Sequence, residues 1–583
     1  MNQPIKKSEP TKAELIKINS QNLRGAITEE IESEARGKFS PESENLLKFH
    51  GIYQQKDRDR RPPSERKKGP KPFVLMVRGR IPGGRLNSQQ WAAWDEASAA
   101  SSGSLRLTSR QSIELHSVLK RDLKETIAKI NAGLSTTTGS CGDVVRNVVQ
   151  PVNPWQSPQL KAIDPVVDKI SSYFEVQSNA YYEIFCDGKK IDSTQEPDLI
   201  YGKAYLPRKF KIAVTVEGNN SVDLFTNDLG IVAQLDQNNH IIGFFVFAGG
   251  GLGQSHSDPS TFARLADYLG WIPQEWLIPV SEAVIKVQRD YGNREDRSHA
   301  RLKYLIDKRG LDWFREKVEK ESGLSFQDKA FGTWNTPSYL GWQQGAQGLW
   351  SLGIHILSGR IIDTEGKPLK SMLRYLIEKY DLQVQITPQQ DLVLLGIESA
   401  QKQEIDNFLK KSNIFHQSSA PVFESAMTCV ALPLCSKAFA EAERAGPDLF
   451  TSIDRLLKEH SLEQRAPIVR ISGCPNGCSR PFVAEFGLVG EKPNKYALYA
   501  GGDREGTRLA FKIYSLASMD DTLKILDFLF FAWTRFGKQD EWFGDFIFRI
   551  GKEKIINLIN FLFKDKSLGV GELSLKANES RSL

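Results

Sequence analysis

Residues 105–118 read LRLTSRQSIELHSV, and residues 384–397 read VQITPQQDLVLLGI. Laid in register, Thr108 meets Thr387 and Gln111 meets Gln390, and apolar side chains coincide at 105, 107, 113 and 115. Each stretch alternates as a half-buried strand does. Each is preceded by a strand, a glycine-marked turn and a helical pattern, and is followed by another helix. In the first copy these are PFVLMVRGRIPGG at 72–84, Ser88–Ala100 and Leu123–Asn131. A weaker pair, GIVAQ…FVFAGG at 230–250 and GLVGE…ALYAGG at 487–502, repeats the relationship further on. The chain therefore reads as two copies of a two-part module, roughly 73–335 and 350–560. Strand–helix alternation within each copy predicts an α+β layer structure.

Divergence inside the repeat carries functional information. Arg106 and Arg110 stand where the second copy has Gln385 and Gln389. Arginines needed for folding would tend to be kept twice. The first copy is thus expected to bind something anionic, and the second to serve mainly as scaffold.

The bulk numbers set bounds. A chain of 583 residues exceeds one ordinary core and predicts two to four domains. Apolar content of 40% and charged content of 25% are those of a soluble globular protein. The formal charge of +6 is mild, and no dense basic stripe with interleaved aromatics argues for nucleic acid. It suits an anionic substrate, an anionic cofactor or an acidic protein partner. The N-terminal MNQPIKKSEPTKAEL has no apolar signal region, and the apolar run Ile525–Trp533 is short and broken by Asp527. The expectation is a cytoplasmic protein with no membrane span. Residues 1 to about 45 read as a surface arm, and Lys56–Pro72, charged and proline-rich, as a linker.

Of six cysteines, four form two tight pairs. Cys429 and Cys435 lie in TCVALPLCSKAFAEAER with five residues between them; Cys474 and Cys478 lie in SGCPNGCSRP with three. Four thiolates match what a cubane iron–sulfur cluster requires. Structural zinc also takes four thiolates, though usually from knuckles with two to four intervening residues, and buried free cysteines are the plain alternative. Pro475 and Gly477 force a tight loop whose amides can point at sulfur. Cys141 and Cys186 have no partner spacing and read as small apolar residues.

Cations cluster on predicted strands. Arg78 and Arg80 flank Gly79 and should share one strand face; Lys209 and Lys211 do the same in YLPRKFKIAVTV, with Arg208 opposite. Arg146 sits in GSCGDVVRNVVQP before a proline-marked turn. A solvated face is the ordinary explanation for such charges, but buried together they would demand an anion.

Taken together, these residues resemble the siroheme-containing sulfite and nitrite reductase family. The resemblance runs from FHGIYQQ at 49–55 to FGDFIFRIG at 543–551. Its most specific pieces are the two cysteine motifs with AEAER at 440–444, then RLTSRQ at 106–111, LPRKFK at 206–211 and QRDYGNREDR at 288–297. Within the family the chain looks closest to the assimilatory, sulfite-reducing haemoproteins. The resemblance implies a four-iron, four-sulfur cluster on Cys429, Cys435, Cys474 and Cys478, with Cys478 bridging it to the siroheme iron. It implies substrate binding by Arg78, Arg146, Lys209 and Lys211, and siroheme carboxylates held by Arg106 and Arg110. His116 reads as a packing histidine. The implied fold is a pseudo-two-fold repeat of a ferredoxin-like half-domain plus a larger α/β siroheme and cluster domain. Its expected boundaries are an arm and linker at 1–72, half-domains at 73–150 and 336–415, α/β domains at 151–335 and 416–563, and a disordered tail at 564–583.

Sulfite is the expected substrate, because nitrite-reducing relatives usually show asparagine where this chain has Lys211. Nitrite reduction is the alternative reading, and a non-enzymatic metal-binding protein would leave the cations unexplained. GGGLGQSH at 249–256 lacks the third glycine of a dinucleotide fingerprint, and no other stretch suggests a flavin or nicotinamide fold. Electrons must then come from a partner, either a ferredoxin or an NADPH-oxidising flavoprotein subunit. KIAVTVEGNNSVDLFTND at 211–228 leans toward the ferredoxin type.

Overall fold

The computed structural model describes residues 10–33, 37–59, 73–178, 184–186, 189–191, 198–411 and 420–564. The expected tail at 564–583, apart from its first residue, and most of the Lys56–Pro72 linker lie outside these residues. The chain forms two compact units, one of Met1–Gly251 with Arg264–Gln417, the other of Leu252–Ala263 with Ser418–Leu583.

The first unit contains two five-stranded antiparallel sheets that exchange edges. One runs in the order Ile52–Lys56, Phe73–Arg78, Ile113–Val118, Leu105–Leu107, Arg360–Ile361. The other runs Gly341–Gln344, Trp350–Ile354, Leu392–Ile397, Gln383–Ile386, Arg85–Leu86. Each sheet thus ends on a two-residue strand supplied by the other copy of the repeat, which covers an edge that would otherwise stand unpaired. The matching Thr and Gln residues form the same turn twice. Thr108 Oγ1 accepts from the amides of Arg110 and Ser112, both at 3.2 Å, and Thr387 Oγ1 from those of Gln389 and Asp391 at 3.1 and 3.0 Å. Gln111 and Gln390 both take positive φ, 52° and 74°. Helices Ser88–Ala97, Leu123–Ala132 and Leu369–Tyr380 pack beside the sheets, with Trp91 and Trp94 fully buried.

The weaker repeat is also present. In the first unit Ile212–Val216 runs parallel to Leu229–Leu235, followed by antiparallel Ile241–Ala248 and Asp267–Pro273. In the second unit Met427–Thr428, Val469–Ser472 and Phe486–Lys492 are parallel, followed by antiparallel Lys495–Ala500 and Phe511–Ala517. Gly249 and Gly501 end equivalent strands at φ 91° and 93°, a backbone that side chains with Cβ rarely adopt. Three helices follow each sheet: Leu277–Tyr291, Leu302–Arg309 and Leu311–Ser322, then Met519–Phe536, Phe543–Ile550 and Lys552–Lys564.

Several expectations need correction. The N-terminal residues are not merely a surface arm: helices Lys12–Ile18, Ile27–Glu32 and Pro41–Leu47 bury Leu23, Ile27, Leu46 and Leu47, and Ile52–Lys56 joins the first sheet. Their polar composition misled because Glu14 and Lys17 are themselves buried as an ion pair, 2.5 Å apart. Residues 252–263 belong to the second unit rather than to the domain expected at 151–335. Finally, Arg78 and Arg80 do not work as a pair. The regular strand stops at Arg78, and Arg80 turns onto the carbonyls of Gly139, Val145 and Ser171.

Candidate active site

In the second unit, two chain segments present the four cysteines. Cys429 directly follows the strand Met427–Thr428, and its amide extends the parallel pairing by donating to Ile471 O at 3.1 Å. Cys474 lies just past the neighbouring strand Val469–Ser472. The loop carrying Cys478 is locked back onto that strand: Ser479 Oγ donates to Ile471 O at 2.7 Å and lies 2.7 Å from Ser472 Oγ. The amides of Phe439 and Ala440 both donate to Gly473 O, tying the first cysteine segment to the second. Gly473 N–H points at Cys429 Sγ, 3.2 Å away, the kind of donor that stabilises a metal-bound thiolate.

The four sulfurs share one electrostatic field. Burial pushes the Cys429 thiol well up, and the charges of Cys478, Cys435 and Cys474 push it further. Burial, then Cys478 and Cys435, push Cys474 up to about 12, against the pull of the Asn476 amide. A cubane takes one thiolate at each of four corners, and four thiols gathered in one field offer that ligand set.

In the first unit, the expected cations fall into two neighbouring groups. Arg146, Lys209 and Lys211 come together with Arg208 and Arg301. Burial drives the Lys209 ammonium well below the usual lysine range, and Lys211, Arg208, Arg146 and Arg301 drive it further. Every leading charge acting on it is positive. Arg146 is buried and donates through Nε and Nη2 to Gly142 O. The Lys211 amide donates to Asp228 Oδ2 at 2.9 Å, and Arg301 closes on the same buried carboxylate at 2.6 Å.

The second group is a row across the first sheet. Arg78 faces Glu114, Glu114 faces Arg106, and Arg106 faces Arg360. Directly opposed residues share a sheet face, so three guanidiniums and one carboxylate line up. Arg78 donates Nε to Glu114 Oε1 at 2.8 Å, Nη2 to the same oxygen, and Nη1 to Cys141 Sγ at 2.9 Å. Cys141 is therefore no ordinary apolar filler. His116 Nε2 lies 3.4 Å from Glu114 Oε2, so this buried histidine joins the row's charge network. Tyr53 links the two groups: burial raises its hydroxyl pKa and so does Cys141, while Arg146 and Arg78 lower it. Arg110 stands apart, donating to Asn227 Oδ1 at 2.8 Å and to the carbonyls of Asn147 and Ile212.

Several residues here escape sequence reading. Asp143, buried, takes both nitrogens of Arg297 at 2.9 and 3.0 Å, with Lys17 at 3.6 Å and Arg208 at 3.9 Å. Glu485 mirrors Asp228 in the second unit, accepting from the Ile468 amide at 2.9 Å and from Arg504 at 3.1 Å. The only available signal is positional: TNDLG at 226–230 and VAEFG at 483–487 put a carboxylate before equivalent strands.

Four cysteines in one field in the second unit, and a cluster of buried cations around Lys209 in the first, are the parts a metal-cluster oxidoreductase that takes anions requires. Comparison with known proteins agrees. Residues 167–326 match the nitrite and sulphite reductase 4Fe-4S domain, and residues 67–133 and 343–412 match the nitrite/sulfite reductase ferredoxin-like half domain. The chain belongs to the siroheme nitrite and sulfite reductase family. It is similar to the sulfite reductase (NADPH) hemoprotein beta-component of Oceanobacillus iheyensis, 39% identical over 92% of this chain and 93% of the relative. The proteins of that name from Myxococcus xanthus and Shewanella putrefaciens are also 39% identical, over 93% of this chain and 96% and 97% of theirs. The fold is that of the Mycobacterium tuberculosis NirA protein, with a TM-score of 0.76 at 22% identity, covering 94% of this chain and 98% of that one. The stretch matched as the 4Fe-4S domain holds only one cysteine, Cys186, because it is the first copy; the thiolates sit in the second.

Proposed function

We propose that this chain is the haem subunit of an assimilatory sulfite reductase, carrying out the six-electron reduction of sulfite to sulfide in sulfate assimilation and cysteine biosynthesis. The observation that carries this reading is the pairing, in one chain, of four cysteines that share one electrostatic field with a buried lysine whose leading neighbouring charges are all positive. Cys429, Cys435, Cys474 and Cys478 would hold the four-iron, four-sulfur cluster, with Cys478 the thiolate that would couple it to siroheme. Siroheme and cluster together supply the electrons when bound.

The protein's own side chains bind, orient and protonate. Arg78, Arg146, Lys209 and Lys211 offset the charge of sulfite, each charge-assisted hydrogen bond contributing roughly 1.5–3 kcal/mol. Arginine effectively never gives up its proton, so Arg78 and Arg146 serve as clamps. Lys209, its pKa driven down by burial and like charge, is suited to release a proton from Nζ as each S–O bond breaks. Lys211 is its partner donor. Arg106 and Arg110 would hold siroheme carboxylates.

Relatives named for NADPH favour an NADPH-oxidising flavoprotein subunit as electron donor, in place of the ferredoxin that 211–228 suggests. No helix among the described residues is long and apolar enough to cross a membrane, and we place the protein in the cytoplasm. The test is direct. The purified protein should show tetrapyrrole bands and form sulfide from sulfite with reduced methyl viologen. The flavoprotein with NADPH should replace the viologen. A protein without those bands, or one that turns over nitrite and no sulfite, overturns the reading.

A further inference from the structure

The repeat permits a position-by-position comparison of the charged row. In the first sheet the row is Arg78, Glu114, Arg106, Arg360. The same register in the second sheet is Gly353, Val393, Gln385, Arg85. His116, two residues beyond Glu114 on the same face, corresponds to Leu395. The scaffold copy thus does without the carboxylate, both flanking arginines and the histidine, and keeps only the arginine on the exchanged strand. A buried glutamate costs solvation, so its presence in one copy alone needs a reason other than folding.

The geometry supplies one. A guanidinium has five N–H bonds. Glu114 takes the side edge of Arg78, through Nε and Nη2, and Cys141 takes one N–H of Nη1. Among the described residues that leaves one N–H on each terminal nitrogen. Two N–H bonds on the end of a planar fork are what an oxyanion with two oxygens accepts. Arg78 also lies over the Tyr53 ring, 5.9 Å from its centre, which limits rotation about the side chain's end. Glu114 itself is held from both sides: burial pushes its carboxyl up, but Arg78, His116 and Arg106 outweigh that and keep it ionised.

We infer that Glu114 is a positioning residue that grips one edge of Arg78 and thereby aims its other edge at the oxyanion. The inference rests on the sulfite reductase reading. In the holoenzyme, Glu114→Gln keeps the shape and removes the charge. Its sulfite KM should rise roughly tenfold while kcat changes less than threefold, and the sulfite Kd of the oxidised protein, measured by calorimetry, should rise in parallel. Arg78→Met should raise the same Kd, and adding Glu114→Gln to it should change the Kd less than twofold, because Glu114 acts through Arg78. If Glu114→Gln leaves the Kd unchanged, or multiplies it tenfold again in the Arg78→Met background, the inference fails. Should Glu114→Gln not fold, Glu114→Asp, one methylene shorter with its charge kept, carries the same comparison. Wild-type protein without sulfite turnover would refute the functional reading; wild-type turnover with additive Glu114 and Arg78 effects would refute this inference alone.

Discussion

Arg106 and Arg360 sit directly opposite each other on adjacent strands, although one comes from the first copy of the repeat and the other from the second. Arg106 is 1% exposed, so two like charges face each other beside the core. Such a pair is unfavourable unless an anion answers it. Glu114, which faces Arg106 from the other side, offsets part of that charge, and a siroheme carboxylate would offset more.

Arg106→Gln, the residue its counterpart Gln385 carries, separates binding from folding. The apoprotein should melt within a few degrees of the wild type, since the repulsion from Arg360 and the attraction to Glu114 are lost together. Siroheme affinity should fall on the order of ten- to a hundredfold, the worth of one charge-assisted bond. Siroheme content after purification, set against melting of the apoprotein, checks both halves. A variant that melts early and keeps its haem contradicts the assignment.

Asp143 fastens the N-terminal helix Lys12–Ile18 to the loop that bears Arg146. Burial alone would raise its pKa, but Arg297, Lys17 and Arg208 hold it at about 2 against an ordinary value of 3.8. Because the folded value is the lower one, its stabilisation is complete above about pH 4 and is lost as pH falls toward 2. Asp143→Asn should cost Arg297 its paired carboxylate and leave Lys17 with Glu14 alone, lowering stability by about 1–3 kcal/mol at neutral pH. The loss of stability of the wild type between pH 4 and 2 should become shallower in the variant. Chemical denaturation across that range measures both effects.

How far these features were readable in the chain differs from residue to residue. Thr108, Gln111 and their partners Thr387 and Gln390 announce the repeat because one turn geometry requires the same side chains twice. The cysteine pairs are equally local, each set by a loop of a few residues. Glu114, by contrast, occupies an ordinary polar position of an alternating strand, and only its register against Arg78 and Arg106 gives it meaning. Asp228 with Arg301, and Asp143 with Lys17, join residues far apart in sequence, so no spacing reveals them. The same blindness hid Glu14 and Lys17 inside the fold and made Cys141 look like filler.

Lys209 should trade stability against activity. Burial and four neighbouring cations lower its pKa in the folded protein. The unfolded chain therefore binds the proton more readily, and the folded apoprotein loses stability as pH falls from the ordinary lysine value of 10.5 toward the depressed one, remaining at that deficit below it. Lys209→Met should make the apoprotein more stable at neutral pH, with the advantage shrinking as pH rises toward 10.5. Turnover of sulfite should drop on the order of a hundredfold if the ammonium is a proton donor. Lys211→Met should likewise slow turnover with the haem spectrum intact. A Lys209→Met apoprotein no more stable than wild type would show that the ammonium is well solvated.

The cysteines differ in access, and that difference predicts an order of modification. Cys478 is exposed, Cys429 and Cys435 are half-buried, and Cys474 is buried with its pKa pushed up to about 12. Alkylation requires the thiolate and a path to it. In protein stripped of iron, iodoacetamide should therefore label Cys478 first and Cys474 last, as peptide mass spectrometry would record. Rebuilding the cluster with iron and sulfide should protect all four together, because every thiolate is then a ligand, while Cys141 should keep the reactivity it had before. If Cys478 were labelled equally fast with the cluster in place, it could not be the sulfur shared between cluster and haem.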